Sequence, residues 1–268
     1  MRVARAGAQT LRAPDFTRDM PIDYARALTG RERSARANRH LGVTLAFIAG
    51  AANAGGFLAV HQYTSHMTGM VSAMADNLAL GDYALVLAGT GGLLSFVLGA
   101  MCSALMVNYA RRQHMHSTFA LPLLLEAVLM LCFGMLGARW AQIDALFVPV
   151  TVMLLCFMMG LQNAVITKLS NAEIRTTHIT GIVTDIGIEL GKLVYWNRHP
   201  EELQPKVLAN RERLAVLCAL ASAFFVGGLT GALGFKHVGY VSTVPLALAL
   251  VALAIIPVVD DIVARVRS

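Results

Sequence analysis

The chain has 268 residues, a net charge of +6, and 56% hydrophobic against 14% charged residues. A soluble domain carries about 25% charged residues, so the composition excludes an ordinary water-soluble fold and points to a bilayer. The basic excess does not indicate nucleic acid: Lys and Arg sit at the edges of apolar runs, and nothing resembles a nucleic-acid-binding module.

Residues 1–40 are polar and Arg-rich, with Pro14, Pro21 and Gly30. No apolar stretch lies near the start, so a cleaved signal peptide is not expected. The reading is a disordered or weakly helical basic tail with a short surface helix near Ile22–Leu28. Six apolar runs follow, at 41–61, 83–109, 119–138, 145–167, 213–235 and 241–259. Each is near the ~20 residues that a spanning helix needs. The second and fifth contain small-residue stretches, GTGGLLSFVLGA (Gly89–Ala100) and GGLTGALG (Gly227–Gly234). Such stretches let helix backbones approach closely, within one chain or between chains, so a homo-oligomer is among the expected partners beside the lipid bilayer. The four cysteines, Cys102, Cys132, Cys156 and Cys218, lie in apolar runs without metal-ligand spacing and read as small apolar fillers. No metal or cofactor is called for.

One signature occurs twice. TSHMTGMVS runs from Thr64 to Ser72, and TTHITGIVT runs from Thr176 to Thr184. Five of the nine positions are identical. An Asn-Ala pair precedes each copy, at Asn53-Ala54 and Asn163-Ala164. An acid and then Leu-Gly follow each copy: Asp76 with Leu80-Gly81, and Asp185 with Leu190-Gly191. This is read as an internal duplication, with repeat one at 41–138 and repeat two at 145–259.

The charge pattern sets the topology. With a cytoplasmic amino terminus and six spans, 20 of the 22 Lys and Arg residues fall on the cytoplasmic side. Only Arg139 and Lys236 fall outside. Both termini are then cytoplasmic, including the short tail 261–268. The first signature dips in from the outer side or lies at the interface, because an extra span there would move Arg111 and Arg112 outside. Three spans separate the copies, so the halves are expected to be inverted. The connection 197–213 has no counterpart in the first half and reads as a solvated cytoplasmic loop with some helix.

The signature residues suit a break at membrane depth. Gly69 and Gly181 can take dihedrals closed to other residues, and Thr68 and Thr180 can cap the next helix. The helix that starts there directs its positive end at the break, which favours an anion or a dipole. His66 and His178 could carry protons or bind substrate, or each could simply bond a carbonyl and lock the turn. A zinc site made by these histidines with Asp76 or Asp185 is a weaker alternative. Asn53 and Asn163 are expected to bond the broken backbone, with ligand contact as the alternative. Asp185 and Glu189 share one helix face, and Lys192 could neutralise Glu189. Glu126 is a lone acid inside the third span, either a functional group or a protonated residue facing the bundle. No enzyme motif is found, so an enzyme is not expected.

GLQNAVITKLSNAEIRTTHITGIVTDIGIELGK (Gly160–Lys192), with TSHMTGMVS and its span, resembles the YoaK-like family of bacterial inner-membrane proteins. The resemblance covers roughly residues 41–260. It implies an inner-membrane protein of about six spans and no settled activity. This chain has Thr68-Gly69-Met70 where the commoner family form has Thr-Gly-Asn. The expected fold is all-α: six spans in two inverted halves, each with a broken or re-entrant Thr-Gly segment. The expected function is a small-solute or ion transporter or channel, its pathway lined by Asn53, His66, Thr68, Gly69, Asp76, Asn163, Thr176, His178, Thr180, Gly181 and Asp185. The alternative is a non-transporting scaffold, sensor or assembly protein that uses its cytoplasmic tail and loop.

Overall fold

The computed structural model describes residues 35–115, 117–140, 144–169, 177–196 and 206–267. The described residues contain eight α-helices and no strand: α1 (Ala35–Val60), α2 (Met67–Leu80), α3 (Tyr83–Arg112), α4 (Ala120–Trp140), α5 (Asp144–Leu169), α6 (Ile179–Val194), α7 (Arg211–His237) and α8 (Thr243–Arg267). A single 3-10 turn, Gly239–Ser242, joins α7 to α8. Six of the helices are long and apolar enough to cross a membrane: α1, α3, α4, α5, α7 and α8. Each contains most of one of the six apolar runs, though α1 begins six residues earlier than predicted and α8 ends eight residues later. With 14 and 16 residues, α2 and α6 are too short to span. The predicted surface helix at 22–28, Thr176 and residues 197–205 of the polar connection lie outside the described residues. Residues 206–210 of that connection are not helical, and α7 begins at Arg211.

Helix directions follow from specific contacts. Arg39, near the start of α1, pairs with Glu212, near the start of α7. Gly55, late in α1, abuts Phe235, late in α7. These two helices therefore run parallel. Late in α5, Lys168 donates to Asn108 Oδ1, late in α3, at 2.8 Å, so α3 and α5 are also parallel. The α1 and α5 helices are antiparallel: Val60 at the end of α1 clusters with Val152 early in α5, and Gln162 late in α5 donates to the Leu45 carbonyl at 3.3 Å. The α4 and α8 helices are antiparallel as well, since Ser117 N–H, just before α4, donates to Asp261 Oδ2, near the end of α8, at 2.8 Å. We call the end where α1, α4 and α7 begin the basal end, and the other the distal end.

Both parallel pairs are built by the same device. Phe-x-x-Gly occurs five times, and four of the copies make these crossings: Phe47–Gly50, Phe96–Gly99, Phe157–Gly160 and Phe224–Gly227. A Cβ on Gly50 would collide with the Phe224 carbonyl oxygen, and one on Gly227 with the Phe47 carbonyl. A Cβ on Gly99 would collide with the Phe157 carbonyl, and one on Gly160 with the Phe96 carbonyl. Each crossing is thus reciprocal, with the backbones in direct contact through the missing side chains. These glycines are needed for close approach, not for special dihedrals.

The core lies between α1, α4, α5 and α8, around Leu45, Ile48, Leu123, Met130, Phe133 and Met158. The outer faces of α3 and α7 are left exposed and apolar, including Leu94, Leu105, Phe225 and Leu229. Apolar residues facing outward along a whole helix suit lipid rather than water. Of the cysteines, Cys156 is buried, Cys102 and Cys132 are half-buried, and Cys218 is exposed.

Candidate functional site

Each signature copy forms the turn into a short helix. After α1, His61 takes a left-handed backbone (φ 54°) and donates its N–H to the Phe57 carbonyl at 2.8 Å, which turns the chain back. Tyr63 stacks on Phe57 at 4.6 Å between ring centroids. The returning chain is then tied to α1 by Ser65 Oγ, which donates to Asn53 Oδ1 at 2.9 Å. After α5 the same tie recurs: Thr177 Oγ1 donates to Asn163 Oδ1 at 2.6 Å. Both asparagines therefore hold the signature, as expected, but through the hydroxyl before each histidine rather than through broken backbone. The amide of Asn163 is further occupied by the Met159 carbonyl at 2.8 Å.

The capping residues also differ from expectation. His66 and His178, not Thr68 and Thr180, are the N-caps of α2 and α6. Their backbone angles nearly match (φ −94°, ψ 71° and φ −85°, ψ 58°). Their carbonyls accept from the Met70 and Ile182 N–H groups, both at 3.1 Å. Neither imidazole makes a side-chain capping bond. Each ring lies instead over the glycine three residues on. A Cβ on Gly69 would collide with His66 Nδ1, and one on Gly181 with His178 Nδ1. Neither glycine has positive φ, so the expected special dihedrals are absent. A side chain at either glycine would have to displace the imidazole that occupies its place. His66, Thr68, His178 and Thr180 are all exposed. The first-turn N–H groups of such a helix have no partner within the helix, and its dipole places partial positive charge there.

The amino ends of both short helices lie beside the middle of a long neighbour. Met70 packs on Gly92 and Met74 on Gly89, so α2 runs antiparallel to α3. Gly92 is the tenth residue of α3, about 14 Å from its start at 1.5 Å per residue. Likewise α6 runs antiparallel to α7: Asp185 pairs with Arg213, and Glu189 bonds the N–H of Asn210. His178 precedes Asp185 by seven residues, roughly 10 Å of helix, and so lies well along α7. The two signatures are not brought together in one cluster. One sits beside the carboxyl end of α1 and the other beside that of α5, and these ends lie at opposite ends of the bundle.

The acids fall differently from the sequence alignment. Taking the shared histidines as register, Asp185 matches Ala73, and Asp76 matches Ile188. Asp76 is exposed and has no partner among the described residues. Asp185 is half-buried and pairs with Arg213 Nη2 at 3.0 Å. Glu189 is 1% exposed and accepts from Lys192 Nζ at 2.9 Å and from Asn210 N–H at 2.8 Å. The Lys192 bond, followed by the Asn210 N–H, holds its carboxyl below the usual carboxylate range. Asn210 in turn caps α7 by accepting from Arg213 N–H at 2.9 Å. The Glu189–Asn210 link escaped the sequence reading, although Lys192 was legible as its counter-ion. Glu126 is completely buried in α4, and neither carboxylate oxygen has a hydrogen-bond partner among the described residues. It faces the bundle, apart from both signatures in sequence.

Residues 41–256 match the family described as a protein of unknown function, DUF1275. Among curated proteins, the chain is 27% identical over 186 residues to the UPF0700 transmembrane protein YoaK of Bacillus subtilis strain 168, covering 68% of this chain and 79% of that protein. No solved structure matches significantly.

Proposed function

The chain belongs to this family of multi-pass membrane proteins, and from that premise we propose that it is a transporter or channel for a small solute or ion, built from two inverted halves. The observation that carries the reading is the twice-built unit of asparagine, hydroxyl, histidine and glycine, one copy following α1 and the other following the antiparallel α5. Two parallel helix pairs with reciprocal Phe-x-x-Gly crossings support it. In each pair the first long helix of one half packs on the second long helix of the other.

In this reading α2 enters from the distal face and α6 from the basal face, both re-entrant. Irregular backbone at membrane depth is tolerated where it is buried in protein or lines water. The exposed Thr68 and Thr180 hydroxyls and the His66 and His178 rings then line two approaches to the middle of the bundle. The amino-terminal dipoles of α2 and α6 favour an anionic or strongly dipolar solute at that level. The basal end is the cytoplasmic side of an inner membrane, consistent with the distribution of Lys and Arg.

The test is flux into proteoliposomes against a panel of small anions and neutral polar solutes. One class of solute is expected to permeate the wild type faster than empty vesicles. His66→Ala and His178→Ala are each expected to lower that flux while the protein remains folded. Normal flux in both variants would assign the signatures to packing and leave the scaffold reading in place.

A further inference from the structure

Glu126 stands in the middle of the buried face of α4. Leu123, Met130 and Phe133, three, four and seven residues away, are buried beside it, and Gly137, eleven away, abuts Tyr240. Val128, Leu131 and Met135, on the opposite face, are exposed. The carboxyl is therefore directed into the bundle, where both of its oxygens lack a hydrogen-bond partner among the described residues.

Gln162, on α5, is completely buried as well. Its Nε2 donates to the Leu45 carbonyl at 3.3 Å, which orients the amide, and its Oε1 is left without a partner among the described residues. Glu126 lies six residues beyond Ala120, at the basal start of α4, and Gln162 seven residues before Leu169, at the basal end of α5. At 1.5 Å per residue both lie about 9–11 Å deep, so they occupy one layer of the core. Leu45, Leu123 and Leu161 belong to that same core. Three acceptor oxygens are thus left without a donor.

Among the described residues, the titratable groups on the elements packed against α4 and α5 meet other partners. Tyr240 touches α4 at Gly137, Asp261 at Ser117 with Asp260 beside it, and Arg111 lies over Phe119 at the basal end. Lys168 turns to Asn108, Arg39 to Glu212, and Cys102 to Met106 of its own helix, while Cys156 clusters with Val60 and Val152. Packing alone does not call for the carboxyl, since a leucine would fill the space without a polar group. An unpaired carboxylate is far harder to bury than a neutral acid. A neutral acid also supplies one O–H donor, and Gln162 Oε1 is the orphaned acceptor in its layer. A divalent cation would want six or more oxygens, which two side chains do not provide.

We propose that Glu126 binds an exchangeable proton and that this proton is the coupling ion of transport. The proton sits on the carboxyl in the closed core described here. It leaves to water when the core opens at this layer. Glu126 belongs to the first half and Gln162 to the second, so rocking of one half against the other would part them and admit that water. The coupling role rests on the transport reading; the exchangeable proton does not.

The test has two readouts on the full chain. The first is infrared spectroscopy in detergent at neutral pH. The wild type is expected to show a protonated-carboxyl C=O band that moves in D2O and is missing from Glu126→Gln. Glu126→Asp retains a carboxyl and should retain a band. The second is solute uptake into proteoliposomes under an imposed pH gradient, with the membrane potential clamped. One pH unit should let the wild type accumulate or expel a neutral solute up to about tenfold, the ratio that one coupled proton supports. Glu126→Gln should build no such ratio, and Glu126→Asp should restore part of it. A spectrum unchanged in Glu126→Gln, in a protein that does move solute, would overturn this proposal alone. Solute movement by the wild type that ignores the pH gradient would overturn the coupling role. A band present with no solute moved would support the proton site and count against the transport reading.

Discussion

The α2 and α6 segments start from the same nine-residue pattern and are anchored to the rest of the molecule by different forces. At the amino end both use the same parts: an asparagine on the preceding helix, a hydroxyl, a capping histidine and a glycine beneath its ring. At the carboxyl end they part. The α2 helix closes with Gly81 in the left-handed region, and its contact with α3 is methionine on glycine. It buries none of its residues fully. The α6 helix is fixed to α7 by the Asp185–Arg213 pair and by Glu189 on the Asn210 cap, with Lys192 holding Glu189 from within α6. What is shared is the amino-terminal turn, which is therefore the part tied to function in our account. What differs is fastening: adaptable thioether contacts at the distal end and a directional ionic lock at the basal end.

Acid should separate the two helices most sharply. Glu189 titrates below its ordinary range in the folded chain, so its stabilising effect is present above the ordinary carboxylate pKa of about 4.3 and is lost as pH falls through the lower folded value. Hydrogen exchange in α6 should accelerate in that acidic window more than in α2, and Glu189→Gln should abolish the difference. Equal acceleration in both helices would erase the contrast.

Glycine substitution should instead treat the two alike. Gly69→Ala and Gly181→Ala each move an exposed imidazole that makes no capping bond, and a gain in helix propensity of about 1 kcal/mol offsets that shift, so the net change should stay within about 1 kcal/mol. Thermal unfolding in detergent should show similar changes. A change confined to one copy would mean that the two histidine seats are not equivalent. The asparagine tie is comparable: Asn53→Ala removes one hydrogen bond to a hydroxyl, about 1 kcal/mol, and Asn163→Ala removes that bond together with the one to the Met159 carbonyl.

The least effects belong to the outward acids. Asp185→Asn loosens a partly exposed pair worth about 0–1 kcal/mol, and added salt should shrink that loss. Asp76→Asn, at an exposed position without a partner, should leave stability within about 0.5 kcal/mol. A large cost at Asp76 with none at Asp185 would reverse the assignment of the ionic lock.

The long helices were legible because a spanning helix is written in length and composition: the second run, read as 83–109, forms α3 at Tyr83–Arg112. The signature was legible because its polar residues stand out against apolar neighbours. Its inner workings were not. Thr68 and Thr180 have good capping chemistry, but the Asn53–Ser65 and Asn163–Thr177 ties close the loop at the histidine, which moves the helix start upstream. The Glu189–Asn210 bond joins residues 21 apart across a loop, and no periodicity links them. Small-residue stretches marked close packing on α3 and α7, yet they could not say that Gly99 and Gly227 face the carbonyls of Phe157 and Phe47. The repeated Phe-x-x-Gly spacing was the available signal.

Inverted halves require the two capping histidines to be reached from opposite sides of the membrane. With Cys102, Cys132, Cys156 and Cys218 replaced, a single cysteine at position 66 or 178 can be labelled in sealed, oriented vesicles by a membrane-impermeant thiol reagent. Our account predicts that position 66 labels only from the outer side and position 178 only from the cytoplasmic side. Labelling of both from one side would contradict the inverted arrangement and, with it, the two-sided pathway.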